Sequence, residues 1–381
     1  MASNKIKILL VARDCPSQNN SGRGIFELDQ AKALQQCGHE VALFSLDFRS
    51  IRRKRKLGFY SFATDGVQIF NFSFPLGNVP DKLSILLGRT LLKWKFNRVV
   101  SNFGKPDIIH SHYFGMSAIA SILKEEYNIP HVHTEHSSRI NNDYLSNQTI
   151  ALGKKEYEDL DAIIAVSSRI ASVIKKNWDT EPIVIPNIVD TNIFSYSERK
   201  KNNQNFKFIS VGNLKFGKGF DVLIEAFNNA TLLPNTELCI IGSGEEKEHL
   251  KKLIRKHKLE KRVHLLGRQE RDSIALHMSS SDAFVLASKG ETFGVAYIEA
   301  LSAGLPVVAT SCGGPSDFID STNGYLVEVD NKTELAATLE KIQSEIAKFN
   351  NSEISTNTKE RFSSQTISSQ LTKIYEKILA K

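Results

Sequence analysis

The chain is 381 residues long, 41% hydrophobic and 24% charged. That balance excludes a disordered chain and leaves room for two domains, each able to bury a core. A formal net charge of +7 at pH 7, modest over this length, favours anionic partners without saying which.

From the amino terminus, a basic start runs into an apolar stretch at 8–12 that is too short for a signal-peptide core and lacks a small-residue cleavage site, so the expectation is a first strand. No segment approaches the roughly 20 apolar residues needed to span a bilayer. The expected setting is cytoplasmic, with any membrane contact made from the surface. Cys15, Cys37, Cys239 and Cys312 form no Cys-x-x-Cys pair and no zinc spacing, consistent with reduced thiols.

Strands are expected at 6–12, 40–46, 107–110, 131–134 and 162–166, with helices at 25–36 and 116–127. Continuous apolar strands separated by helices imply a parallel sheet covered on both faces. The pattern restarts with strands at 206–211, 237–241, 263–266, 283–286 and 305–310 and helices at 221–229 and 247–257. Two doubly wound α/β domains follow, at 1–190 and 205–363, with the boundary in the polar stretch 192–205, where apolar periodicity fails. A final helix at 364–380 carries Leu371, Ile374, Tyr375 and Ile378 on one face.

Open parallel sheets bind ligands beyond the carboxyl ends of their strands, and that rule sorts the motifs. Ser21-Gly22-Arg23-Gly24 precedes the first helix, where glycine lets backbone approach a phosphate; a plain loop before a helix is the alternative. A dinucleotide fingerprint fails here, because the third glycine position is Glu27 and the glycines come about ten residues after the strand. His110-Ser111-His112-Tyr113 and His133-Thr134-Glu135-His136 follow strands on the ligand side. Pocket residues, satisfied structural histidines and zinc ligands are the readings for them, zinc being disfavoured because no acid–histidine helix motif accompanies them. Asp159-Leu160-Asp161 lies at the opposite, amino end of a strand.

Between 48 and 100 the composition changes. Arg49, Arg52, Arg53, Lys54, Arg55 and Lys56 form a basic run, and 83–100 mixes leucines with Trp94, Phe96, Arg89, Lys93, Lys95 and Arg98. Such a surface suits anionic lipid; the alternative is a helix packed on the sheet beside a solvated loop. No zinc finger, RNA-recognition signature or interleaved aromatic platform supports nucleic-acid binding.

The stretch 288–315 organises the rest. It parses as loop, helix, loop and buried strand, with Glu291 at the front and Glu299 inside the helix. A helix opening near Phe293 or Gly294 turns free N–H groups and a positive dipole end towards a phosphate. A carboxylate at Glu299, among apolar residues, needs hydrogen-bond donors, and sugar hydroxyls would serve. These are the parts of a nucleotide sugar.

Glu291-Thr292-Phe293-Gly294, Glu299-Ala300, Gly304-Leu305-Pro306-Val307-Val308 and Gly313-Gly314 resemble the glutamate–seven residues–glutamate block of retaining glycosyltransferase family four, bacterial polysaccharide type. Ser167-Ser168 and Pro186-Asn187-Ile188-Val189-Asp190 extend the resemblance, with Ile188 replacing the usual glycine. So does the loop Gly212-Asn213-Leu214-Lys215-Phe216-Gly217-Lys218-Gly219, where Asn213 stands at the family's arginine position and leaves that contact neutral.

The resemblance implies the GT-B fold: two Rossmann-like domains facing a cleft, the tail 364–381 returning to the first. It also implies a retaining, metal-independent hexosyltransferase needing no cofactor. The donor, a nucleotide sugar, UDP-linked by preference, would contact Gly22, Gly24, Asn213, Lys218, Gly242, Arg268, Glu291, Thr292, Phe293, Gly294, Val295 and Glu299. His112, Glu291 and Lys218 would be catalytic, while His112, Tyr113 and His136 face a glycan or lipid-linked acceptor in cell-surface polysaccharide assembly. Three rivals stand beside this reading. A nucleotide-sugar epimerase shares the fold, a glycoside hydrolase would need both carboxyls on one glycosidic bond, and a non-catalytic module would bind anionic surfaces.

Overall fold

The computed structural model describes residues 5–15, 24–50, 52, 55–77, 79–198 and 205–381. The chain divides into two compact units, residues 1–188 with 364–381 and residues 189–363.

In the first unit, β1 (Lys7–Ala12), β2 (Glu40–Asp47), β3 (Gly58–Thr64), β4 (Val67–Ser73), β5 (Ile108–His112), β6 (His131–Glu135), β7 (Ala162–Ala165) and β8 (Ile183–Val184) form one sheet. Its order is β3-β4-β2-β1-β5-β6-β7-β8, parallel except for β3 against β4. Helices α1 (Ile25–Gln36), α2 (Asp81–Phe103), α3 (Met116–Tyr127), α4 (Asn147–Tyr157) and α5 (Ser168–Trp178) connect the strands. The strand period of two sorts β1 between two cores. Ile8 and Leu10 join Leu28 and Leu34 of α1, whereas Leu9 and Val11 join Phe96 of α2 and Leu123 of α3.

The region expected to change character is built differently from the expectation. β3 and β4 form a hairpin around Asp65-Gly66, both residues left-handed, as a type I′ turn requires. Two arginines of the basic run turn inward: the Arg55 side chain, 8% exposed, pairs with Asp47 at 2.8 Å, and Arg49 pairs with the same carboxylate at 2.5 Å and with Asp14 at 3.5 Å. These two charges are therefore neutralised internally, which corrects their assignment to a solvated surface. Arg53 and Lys54 lie outside the described residues.

The second unit holds β9 (Phe206–Val211), β10 (Thr236–Ile241), β11 (Val263–Gly267), β12 (Ala283–Leu286), β13 (Val307–Thr310) and β14 (Gly324–Val327). They form a parallel sheet in the order β11-β10-β9-β12-β13-β14. Around it pack α6 (Phe220–Asn229), α7 (Lys247–Lys256), α8 (Arg271–Ser279), α9 (Val295–Ser302), α10 (Lys332–Ser344) and α11 (Asn351–Phe362). Residues 189–198 pack with this unit: the Val189 N–H donates to Phe362 O at 2.9 Å, and buried Phe194 accepts from the Ser302 hydroxyl.

After Ser363 the chain rejoins the first unit as α12 (Ser364–Leu379). Ile367, Leu371 and Tyr375 enter the core against α1. The amphipathic face legible in the sequence is the one buried.

Candidate active site

In the second unit the site starts from the turn after β9. Phe216–Lys218 makes one 3-10 turn and Gly219 takes a left-handed φ of 62°. A Cβ at Gly219 would stand 1.9 Å from Ala287 O, so only glycine lets this turn meet the loop after β12. The Lys289 N–H completes the junction by donating to Gly217 O at 2.9 Å. This seating brings the Lys218 ammonium to 2.5 Å from Glu291 Oε1, which also accepts from the Ser288 hydroxyl at 2.7 Å. Glu291 is buried. Its carboxylate is held by one cation and one hydroxyl.

Behind it, the Glu291 N–H donates to Cys312 O and Gly314 N–H to Glu291 O, tying the loop to the Gly313-Gly314 turn. Tyr297 is fully buried and donates to Leu286 O at 2.9 Å. Burial first, then the Glu291 charge, pushes its phenol well above the usual range, so it is a fixed neutral donor. Burial likewise pushes the Cys312 thiol up to about 11.

Helix α9 opens on left-handed Gly294 without a side-chain cap, so the N–H groups of its first turn lack the usual capping side chain. Phe293 is buried against Phe318 and Phe362, with ring centroids 5.3 and 5.9 Å away, which anchors the loop from below. Thr292 and Val295 are half-buried beside it. One turn further, Glu299 is also only partly buried, its Oε1 3.8 Å from an Arg271 guanidinium nitrogen. A protein cation, not apolar surroundings alone, thus faces this carboxylate. Asn213 and Lys215 are exposed. Gly242, at the end of β10, donates to Gly267 O at 2.8 Å, and Arg268 follows β11 directly. A cavity of about 280 Å³ lined by Phe318, Tyr325, Phe349 and Arg361 lies beside the segment leading into β14.

In the first unit, Gly22 lies outside the described residues, while Gly24 caps α1 with φ 64° and a Cβ there would meet Asp14 O at 2.7 Å. Strand β5 runs two residues past its expected end, so His110 and His112 are strand residues and fully buried. The strand continues because neighbours satisfy both rings. His110 Nδ1 is 2.6 Å from the Tyr375 hydroxyl and 3.2 Å from Gln30 Nε2, and its Nε2 is 2.7 Å from Thr134 Oγ1. His112 lies 3.4 Å from Gln30 Nε2 and 3.1 Å from His136 Nε2.

Burial holds His110, His112 and His131 well below the ordinary imidazole range and lowers His136 to about 4. They are neutral at pH 7. Tyr113 closes the strand with a left-handed φ of 72°, stacked on His136 at 4.5 Å and covered by the Arg13 guanidinium at 4.9 Å. Asp161 accepts from the His131 N–H at 2.7 Å and pairs with Lys124 at 2.9 Å, a structural role at the strand's amino end. Among the described residues, no three His, Cys, Asp or Glu side chains are grouped to hold a metal ion.

Sequence reasoning missed Arg271, Gln30, Arg13 and the tail tyrosine Tyr375 as parts of these sites. Only Gln30 left a signal, as a polar residue on the inner face of α1. The other contacts join residues far apart in the chain.

The two sheets, their carboxyl-end loops and the uncapped acid-flanked helix are those of a GT-B glycosyltransferase. The pattern described as Glycosyltransferase Family 4 matches residues 23–193, and that described as Glycosyl transferases group 1 matches residues 194–361. The two matches together span residues 23–361, and the chain is a glycosyltransferase of the family-four type.

An uncharacterized glycosyltransferase of Methanocaldococcus jannaschii is 32% identical over 60% of this chain and 63% of its own length. N-acetyl-alpha-D-glucosaminyl L-malate synthase of Bacillus anthracis is 25% identical over 83% of this chain and 82% of its own. Among solved structures, sucrose-phosphate synthase from Thermosynechococcus elongatus superposes with a TM-score of 0.79 at 19% identity, covering 98% of this chain and 99% of its own. HepE of Anabaena in complex with UDP gives 0.75 at 19% identity, covering 98% and 100%.

Proposed function

We propose that this chain is a retaining, metal-independent transferase. It moves a hexose or N-acetylhexosamine from a nucleotide diphosphate sugar, UDP-linked by preference, to a glycan or lipid-linked acceptor in bacterial cell-surface polysaccharide synthesis. The observation that carries the reading is the Lys218–Glu291 pair at the mouth of uncapped α9. Lys218 and the N–H groups after Gly294 supply positive charge where a diphosphate departs, in a partly desolvated place where it counts most.

Glu291 holds the donor sugar's hydroxyls and Glu299 the ribose. Thr292, Phe293, Gly294 and Val295 present backbone to the phosphates, and Gly24, Asn213, Gly242 and Arg268 complete the donor rim. The bond from the anomeric carbon to the phosphate oxygen breaks, the acceptor oxygen bonds that carbon on the same face, and the acceptor's proton passes to the leaving phosphate. His112, Tyr113 and His136 form the acceptor side. The solution of HepE with UDP supports the choice of nucleotide.

Exposed Leu83, Leu86 and Trp94 on α2, beside Lys82, Lys95 and Arg98, are the part of the basic region still suited to an anionic membrane surface. Among the described residues no helix is long and apolar enough to cross a membrane.

A thermal-shift screen against UDP-, GDP- and ADP-sugars in EDTA tests the reading. Ligand at about a hundred times its Kd adds about 2.7 kcal/mol of stability, so one nucleotide class should raise Tm by several degrees. If all three leave Tm unchanged, the proposal fails.

A further inference from the structure

Glu27 is 1% exposed in the first turn of α1, and among the described residues neither carboxylate oxygen has a hydrogen-bond partner beyond the approach of its own backbone N–H. An isolated carboxylate taken out of water costs several kcal/mol, and an apolar residue of similar size would avoid that cost. The neighbours indicate what it faces. Gln30, one turn along the same side of α1, reaches both His110 and His112. Towards the strand ends, Glu27 is the strongest charge acting on the Tyr113 phenol, with Arg13 next. Tyr113 itself keeps its left-handed backbone at the end of β5, between Arg13 and His136. Strained non-glycine residues persist where the surroundings over-determine them, and they cluster at ligand sites.

We infer that Glu27 is an acceptor-binding residue whose carboxylate receives hydrogen bonds from adjacent hydroxyls of the acceptor's terminal sugar ring, next to Tyr113 and His136. This rests on the reading that the first unit holds the acceptor. A pair of vicinal hydroxyls offers two donors to two carboxylate oxygens, and above pH 7, where Glu27 is ionised and only accepts, it selects a ligand that donates. The carboxylate then gains donors that no described side chain supplies. Charge-assisted bonds of this kind are about twice as strong as neutral ones.

The test uses the full chain saturated with UDP and three neutral probes: the methyl α-glycosides of glucose, galactose and mannose. Saturation-transfer NMR reads their binding to wild type, Glu27→Gln and Glu27→Asp. UDP-induced thermal shifts on the same samples report whether fold and donor side are intact. At least one glycoside should bind wild type, weaken about tenfold or more in Glu27→Gln at unchanged UDP affinity, and recover in part in Glu27→Asp.

Equal binding by Glu27→Gln and wild type overturns the inference, as does a wild type that binds none of the three. Binding confined to methyl α-glucosaminide, added as a fourth probe, also overturns it in favour of a cation site. Should glycosides bind in a Glu27-dependent way while UDP does not bind at all, the donor assignment falls and the role of Glu27 stands.

Discussion

Lys218 and Glu291 lie 2.5 Å apart in a partly desolvated site, so neither is replaceable without leaving the other's charge unpaired. Removing a single electrostatic stabiliser of a developing charge costs about 10²–10³ in kcat. Lys218→Ala and Glu291→Gln should each fall in that range in a transfer assay. The double variant should cost far less than the product of the two, since paired residues are not additive; full additivity would show that they act separately.

Glu27 gives a residue-scale prediction in stability. Burial raises its carboxyl to about 7, against the lowering effect of its own backbone N–H and of Arg13, with Asp14 and Asp29 acting in the same direction as burial. The folded state therefore holds a proton that the unfolded state releases near 4.5, and stability declines as pH rises from there through 7. Glu27→Gln should be more stable than wild type by about 3 kcal/mol at pH 8 and equal to it at pH 4, read by denaturant melts at the two pH values. A variant less stable at pH 8 would contradict this.

The two acids of 288–315 were legible because carboxylates inside an apolar run need a reason. Arg271 was not legible as the partner of Glu299, because nothing local links the start of α8 to the middle of α9.

At the scale of elements, α12 shows how much one helix holds in place. Tyr375 fills the first unit's core and its hydroxyl meets His110 at 2.6 Å, while Thr372 meets His39 at 2.8 Å and Ser368 meets Cys37 at 2.9 Å. Tyr375→Phe deletes one buried hydrogen bond and should cost about 1 kcal/mol. Tyr375→Ala empties an aromatic-sized space as well and should cost about 3–5 kcal/mol. Equal costs for the two, in urea melts, would mean that packing around the ring is loose.

The amphipathic stripe of α12 announced its burial in the sequence, and β1, α1 and α3 were equally plain from apolar runs, Gly38 and the 3.6 period. The β3–β4 hairpin was hidden. Its Asp65-Gly66 turn is a strong local signal, but Arg49 to Lys56 just before it read as solvent-exposed, and only the fold shows Asp47 gathering Arg49 and Arg55. The end of β5 was misplaced for a related reason: histidines look like loop residues until Gln30, Thr134 and Tyr375 are seen to satisfy them.

For the molecule as a whole, the buried histidines should make acid stability uneven. With folded pKa values of His110, His112, His131 and His136 all lowered by burial, the unfolded chain binds more protons below its ordinary histidine pKa. Their contribution is full above about 6.5 and is lost as pH falls towards 4. His39 is lowered by burial in the same way, while Glu27 and Glu156, both raised by burial, pull the other way, two groups against five. Trp94 and Trp178, the chain's two tryptophans, are both in the first unit, so their fluorescence follows that unit alone. The Tm it reports should drop between pH 7 and pH 5; a constant or rising value would mean that the histidines are not held neutral.

The central claim is that a sugar diphosphate sits where α9 begins. A crystal structure of the chain grown with a UDP-sugar measures this directly. The account predicts diphosphate oxygens within hydrogen-bond distance of Lys218 Nζ and the N–H groups following Gly294, with sugar hydroxyls on Glu291. Diphosphate density elsewhere, with the Lys218–Glu291 pair undisturbed and no ligand at the helix start, would contradict it.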